Sequence, residues 1–251
     1  MIKTDELRAF ELENTRGLLS VNGQRIGSRR GKFIVLDGID GSGKSTISKL
    51  VAERLQDASV VQTRYKEIAT TSPELETGMR QLDAILWPPT QDHLRHLPSR
   101  YRVLLHAAWV SLVSDAVVAP RIASGETLLF DGWCYKIMAR FVVDGYSEDY
   151  IKLVFSSAGE PDDVILLQPD VELVWSRAIQ NGRRFSRVEM GLYQGHTVLG
   201  KDTFISYQRR TRDAILTLAK MSGRNVIVLD ANGSIEETAA EVESIVRELL
   251  A

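Results

Sequence analysis

The chain of 251 residues holds one cysteine, Cys134. A lone thiol excludes an internal disulfide framework, and a reducing cytoplasm is the setting it fits most simply. A dominant charge sign is also missing. Lys and Arg together number 31 against 33 for Asp and Glu, a formal net charge of −2. That balance argues against a broad nucleic-acid footprint but leaves room for local basic clusters. There is no long unbroken apolar run. The greasiest stretch, Val103 to Val118, is interrupted by His106, Ser111, Ser114 and Asp115. It reads as a buried helix and not as a membrane span. The opening Met1-Ile2-Lys3-Thr4-Asp5-Glu6 puts acidic residues where a secretory signal needs an apolar core. Internal repeats and low-complexity segments are absent as well. What remains is ordinary globular material, 44% hydrophobic and 25% charged, enough for one sizeable core.

The most informative stretch is Gly38-Ile39-Asp40-Gly41-Ser42-Gly43-Lys44-Ser45. It fits the phosphate-loop pattern G-x-x-x-x-G-K-[ST] at every fixed position. Phe33-Ile34-Val35-Leu36 before it is a short β-prone strand, and Ile47, Leu50, Val51 and Leu55 after it recur at helical spacing. Glycines let backbone N–H groups turn onto phosphate oxygens, and the new helix adds its positive end. Gly38, Asp40, Gly41, Ser42, Gly43, Lys44, Ser45 and Thr46 are therefore the expected nucleotide-binding residues. Lys44 reaches the β- and γ-phosphates, and Ser45 ligates Mg²⁺. ATP with Mg²⁺ is the implied ligand pair.

Residues 1–31 read as an extension. Leu7, Phe10 and Leu18 line a weak helix from Thr4, and Gly23, Gly27 and Ser28-Arg29-Arg30-Gly31 read as a linker. A poorly ordered tail is the plainer alternative. Residues 32–251 read as one domain. Strands are expected at 33–37, 59–63, 127–131, 164–168 and 225–229. Helices are expected at 44–56, 73–86, 100–118, 134–143, 147–157, 170–180, 203–221 and 234–250. Such alternation predicts an α/β, doubly wound parallel sheet with helices on both faces. Ligands then bind beyond the carboxyl ends of the strands, which selects Asp37, Arg64, Asp131 and Asp230.

Asp131 ends an apolar strand and is the expected second holder of Mg²⁺, beside Ser45. Asp37 ends the first strand and suits the same work or a substrate contact, although strand-end aspartates also serve as turn formers. Arg64 is placed to grip a substrate phosphate, or else is a solvated loop arginine. Arg183, Arg184 and Arg187 crowd one short segment. They read as a lid, within 181–203, that closes over the triphosphate and neutralises charge on the transferring group. The plainer reading is a solvated charge run. Lys136 and Arg140 share a helix face at i and i+4, suited to an acceptor phosphate or simply a basic surface. His93 and His96 make a poor metal signal. Nothing marks Cys134 as a nucleophile. The tryptophans read as packing residues, with Trp133 near enough to Asp131 to touch substrate.

In ordered series these stretches resemble the thymidylate kinase family and its relatives among nucleoside monophosphate kinases, over roughly residues 32–250. The carriers are Phe33 to Thr46, Thr63-Arg64, Gly125 through Asp131-Gly132-Trp133, Pro161-Asp162 with Val164 to Leu167, Arg183, Arg184, Arg187 and Glu189, and Val226 to Glu237. The resemblance implies the P-loop NTPase fold with a short lid. It implies transfer of the γ-phosphoryl group of ATP to dTMP. It also implies a loop at Asp230 to Asn232 bordering adenine. Further, it implies a small-molecule acceptor, no nucleic-acid or membrane partner, and a homodimer through helices such as 103–118. The phosphate loop has no arginine between Asp40 and Ser42, and relatives of that kind rely on lid arginines.

The departures concentrate on the acceptor half. Gly132 and Trp133 replace the arginine and tyrosine of an Asp-Arg-Tyr motif. Tyr65-Lys66 replaces Glu-Pro after Thr63-Arg64. Trp109-Val110 replaces Asp-Arg, Lys136 and Arg140 replace Ser and Tyr, and Gln168 replaces an aspartate. Residues 191–203 look like extra length. Two other readings stay open: a kinase for another nucleoside, nucleotide or metabolite, and a non-catalytic ATP-binding regulator.

Overall fold

A computed structural model describes residues 30–56, 60–63, 72–87 and 97–251. The expected helix and linker of residues 1–29, Arg64, Tyr65-Lys66, and the pair His93 and His96 lie outside the described residues. Five strands form one parallel sheet: β1 (Phe33–Gly38), β2 (Val60–Thr63), β3 (Thr127–Asp131), β4 (Asp163–Leu167) and β5 (Asn225–Leu229), in the order β2-β3-β1-β4-β5. Parallel neighbours need crossover connections, and helices supply them. They are α1 (Lys44–Arg54), α2 (Pro73–Leu86), α3 (Ser99–Ala123), α4 (Cys134–Val143), α5 (Glu148–Val154), α6 (Val171–Gln180), α7 (Lys201–Met221) and α8 (Ile235–Leu250).

The two faces of β1 explain the layers. Phe33 and Val35 point into a core shared with α3, α4, α6 and α7, whereas Ile34 and Leu36 point into a second core with α1 and α8. A strand buried on both faces reads as a continuous apolar run, which is what 33–36 is. The expected doubly wound α/β sheet with helices on both faces is the observed fold, that of the P-loop NTPases.

Register then positions chemistry. Leu36 lies opposite Asp131 on β3, and Gly38 lies opposite Leu167 on β4. The carboxyl ends of β1, β3 and β4 therefore open onto one edge.

The main departure from expectation is α3. It continues five residues past Val118, to Ala123, through a π-helical turn over Ser114–Val118. Pro120 lacks an N–H, and its ring clashes with the carbonyl four residues back. The widened turn absorbs that mismatch, so the helix runs on. By length and composition α3 is apolar enough to cross a membrane, yet 44% of its most apolar window is buried inside the fold. Val103, Trp109, Val110 and Val113 pack in the first core.

Candidate active site

The phosphate loop leaves β1 and turns into α1 without a side-chain cap. Thr46 N and Ile47 N donate to Gly43 O, and among the described residues the N–H groups of Lys44 and Ser45 are the ones left for a ligand. Gly41 holds φ +80°, and a Cβ there would come within 2.8 Å of Val174. Only glycine lets α6 sit this close to the loop. Lys44 folds back over the loop and donates to Gly38 O at 2.8 Å, Ile39 O at 2.6 Å and Ser42 Oγ at 3.2 Å. Burial and the nearby Lys136 bring its pKa down to about 8, against the pull of Asp40, Asp37 and Asp131.

Gly41 to Thr46 form one wall of a cleft of about 830 Å³. The same cleft is lined by Asp131, Lys136, Arg140, Arg183, Arg102, His106 and Tyr193. A pocket of that size suits a nucleotide-scale ligand.

Asp40 is the electrostatic centre of this cleft. Lys136 Nζ donates to its Oδ1 at 3.0 Å, Arg140 pairs with its Oδ2, and Gln208 Nε2 donates to Oδ2 at 3.3 Å. Burial alone would raise Asp40, but Arg140, Lys136 and Lys44 outweigh it and hold the carboxyl far below its usual range. The expected shared face of Lys136 and Arg140 is therefore present, but both cations are turned onto the phosphate loop. A plain solvated basic surface is excluded. Arg140 and Arg102 each leave a buried Nε without an acceptor among the described residues.

One expectation is corrected, and a second is refined. Asp37 was expected at substrate or metal, yet it is fully buried and absent from the cleft lining. Its oxygens accept the backbone N–H of Gly38 at 2.7 Å and of Trp133 at 3.2 Å. It ties the phosphate loop to the start of α4, and burial raises its pKa despite Lys44 and Lys136. Trp133 was expected to touch substrate, and it is among the residues that line the cleft, with most of its indole turned away from the opening. Its side chain is 1% exposed, edge-on to Phe33 and Phe130, with Nε1 donating to Gly159 O at 3.0 Å. The indole supports the floor of the site from behind.

At the far end of the cleft, the Arg102 guanidinium lies 3.6 Å from the centre of the Tyr193 ring. His106 Nδ1 bonds to Arg102 O at 2.7 Å, and burial pushes its pKa down to about 4, so the ring is neutral. It sits edge-on to Trp87 and Phe141. The extra stretch near 191–203 closes this end. Gln194 Nε2 donates to Val143 O at 3.1 Å and to Asp144 Oδ1 at 2.8 Å.

Of the arginine-rich segment, Arg183 lines the cleft and pairs with Glu189 at 2.9 Å. Arg184 and Arg187 are exposed and lie outside the lining. Phe185 anchors the segment, stacked on Trp175 at 5.6 Å and packed on Phe204 at 4.0 Å. Asp230 and Asn232 use their carboxamide and carboxylate oxygens on backbone: Asp230 Oδ1 accepts Asn232 N, and Asn232 Oδ1 accepts Asp170 N. Their neighbours Ala231 and Gly233 are the residues that border the cleft. Arg177 holds this loop through the carbonyls of Ala231, Asn232 and Gly233.

Sequence reasoning missed Arg102, Asp144, Arg177, Tyr193 and Gln208. Arg177 and Gln208 sit on helices, Tyr193 in the added stretch and Asp144 just past the end of α4, with no motif around them. Only Arg102, a charge one residue before the apolar run that starts at Val103, carried a signal.

The thymidylate kinase family model matches residues 36–242. The chain is similar to a probable thymidylate kinase of Pyrococcus horikoshii, 29% identical over 219 residues, covering 87% of this chain and 97% of the relative. It is also similar to the thymidylate kinase of Glaesserella parasuis, 27% identical over 224 residues, covering 86% and 96%. A third relative is probable thymidylate kinase 1 of Saccharolobus solfataricus, 30% identical over 147 residues, covering 58% and 69%.

Proposed function

Because the chain belongs to the thymidylate kinase family, we propose that it transfers the γ-phosphoryl group of ATP to the phosphate of dTMP, giving dTDP and ADP. The observation that carries this reading is the single cleft joining the phosphate loop to a cationic acceptor wall. Loop amides from Gly41 to Thr46 take the donor phosphates. Lys44 exchanges its three loop contacts for β- and γ-oxygens. Arg183, with Arg184 and Arg187 following as the lid closes, offsets charge on the transferring group. Ala231 and Gly233, fixed by Arg177, Asp230 and Asn232, border the adenine. Lys136 and Arg140 grip the acceptor phosphate, and Arg64 is a further candidate for that grip. The buried Nε groups of Arg102 and Arg140, which have no acceptor among the described residues, are donors available to the acceptor nucleotide.

Among the described residues no cluster of three metal-ligating side chains exists. That fits Mg²⁺ held by Ser45 and Asp131 together with phosphate oxygens and water, because this ion keeps waters and prefers phosphate ligands. When bound it neutralises charge on the β- and γ-phosphates. The chemistry asks the protein mainly for positioning and charge, not for a covalent step. Tyr101 and Leu104, 45% and 54% exposed on α3, are candidates for a contact between two copies. A reducing cytoplasm fits the buried lone Cys134.

The test is ADP release with ATP and Mg²⁺ across a panel of nucleoside monophosphates and nucleosides. dTMP is expected to give the highest kcat/KM. ATP binding without transfer to any acceptor overturns the reading.

A further inference from the structure

The middle of α7 carries a polar side chain that none of the roles above uses. Gln208 has no exposed surface. Its Nε2 donates to Asp40 Oδ2 at 3.3 Å and to the backbone oxygen of Glu189 at 2.8 Å. Its Oε1 is buried and accepts nothing among the described residues. A buried amide with an unpaired oxygen is destabilising where an apolar side chain of the same size would pack. Folding alone therefore gives no reason for glutamine here, and the two donated bonds do. One goes to the phosphate loop. The other goes to the lid, where Glu189 also accepts from Arg183 at 2.9 Å and from Ser186 N at 2.6 Å. One side chain thus clasps the lid to the loop.

Asp40 makes that clasp sensitive to the acceptor. Its two oxygens are shared among Lys136, Arg140 and Gln208. A carboxylate offers only about four lone-pair sites. An acceptor phosphate that draws Lys136 and Arg140 away leaves more of the Asp40 charge to the Gln208 N–H, and a bond to an uncompensated carboxylate is the stronger kind. We propose that Gln208 is a positioning residue that couples lid placement over the donor phosphates to occupancy of the acceptor site, acting through Asp40. The proposal rests on the reading of Lys136 and Arg140 as acceptor-phosphate ligands.

Calorimetry of dTMP binding, with and without Mg²⁺ and a non-hydrolysable ATP analogue, tests it. In the wild-type protein the analogue tightens dTMP binding by about fivefold or more. In Gln208→Met, which keeps the volume and removes the unpaired oxygen, that factor falls to near one. Each ligand alone still binds as before, and kcat falls. Gln208→Asn keeps the amide but cannot span both partners, and it gives the same loss. In an Asp40→Asn background the Gln208→Met change has no further effect. An unchanged factor in both Gln208 variants overturns the proposal. So does an absence of coupling in the wild type, or an equal loss in the Asp40→Asn background. A separate measurement checks the premise: if Lys136→Met and Arg140→Met leave the KM for dTMP unchanged, the acceptor reading itself fails. A raised KM beside unchanged coupling overturns the role of Gln208 alone.

Discussion

At the scale of single residues, Lys44 is held between opposing influences. Burial and Lys136 push its proton off, while Asp40, Asp37 and Asp131 hold it on, and the outcome is a pKa of about 8 against 10.5 for the free side chain. The folded value lies below the unfolded one, so the unfolded chain binds more protons between them. Stability from this group therefore rises as pH climbs from about 8 toward 10.5. Function runs the other way. In the proposed role, donor phosphates favour the charged amine, so binding MgATP is expected to raise its pKa and take up a proton. Calorimetry in buffers of differing ionisation enthalpy is expected to show net uptake at about pH 9 and none at about pH 6, with uptake gone in Lys44→Met. That variant also loses roughly 10²–10³-fold in kcat, as for one lost charge-stabilising donor. On the acceptor side, Lys136→Met and Arg140→Met each remove one charge-assisted partner but leave Asp40 the other, so both fold. A lost bond of that kind is worth about 1.5–3 kcal/mol. The expected effect is on the order of 10- to 100-fold in kcat/KM for dTMP, with the KM for ATP nearly constant. The phosphate loop was legible from its glycines, because backbone approach demands those residues. The Asp40 cluster was not. Lys136 and Arg140 could be placed on one helix face, but nothing local says that the face meets Asp40, 96 and 100 residues earlier in the chain.

Among the elements, the lid best shows how packing serves chemistry. Its arginines are exposed, so their positions depend on Phe185, which is buried between Trp175 of α6 and Phe204 of α7. The segment was readable as a charge run, but its anchor was not, since a lone phenylalanine in a basic stretch has no periodicity to declare its direction. Phe185→Ala removes a buried ring, a loss worth about 3–5 kcal/mol. The global fold keeps both sheet cores, so the loss falls on lid order. The expected result is a lower kcat for transfer and more ADP release without acceptor, because a loosened lid admits water. Assays with and without dTMP separate the two. The helix boundaries tell the same story. Ser234 and Glu237 form a capping box that sets the start of α8, and the sequence signal for it is direct. Helix α3 runs past the expected end at Val118 to Ala123, through a π-helical turn ahead of Pro120 that has no sequence signature.

For the whole molecule, the order of strands decides what is stable and what can move. β1 sits at the centre with Ile34, Val35 and Leu36 fully buried, and both cores close on it. Alternation of strand and helix made the parallel sheet legible, since each apolar run was short and flanked by turn residues. Strand order was not, because short β-prone runs carry no label for their neighbours. β5 is an edge strand, and its Val228 is 45% exposed. The proposed phosphate-binding elements leave the central strand, while the proposed adenine border leaves the edge. In that reading, donor binding joins the most deeply buried strand of the sheet to an edge strand. Amides open locally where few apolar contacts bury them and globally where many do. Hydrogen exchange followed by mass spectrometry is expected to show β1 exchanging only with global unfolding and β5 exchanging sooner by fraying. MgATP is expected to slow exchange at residues 38–46 and at β5 with its following loop, while leaving β1 relative to the global rate unchanged. Equal protection of β1 and β5 in the free protein would mean that the edge is covered. Slowing at 38–46 alone would remove the 230–233 loop from the donor site.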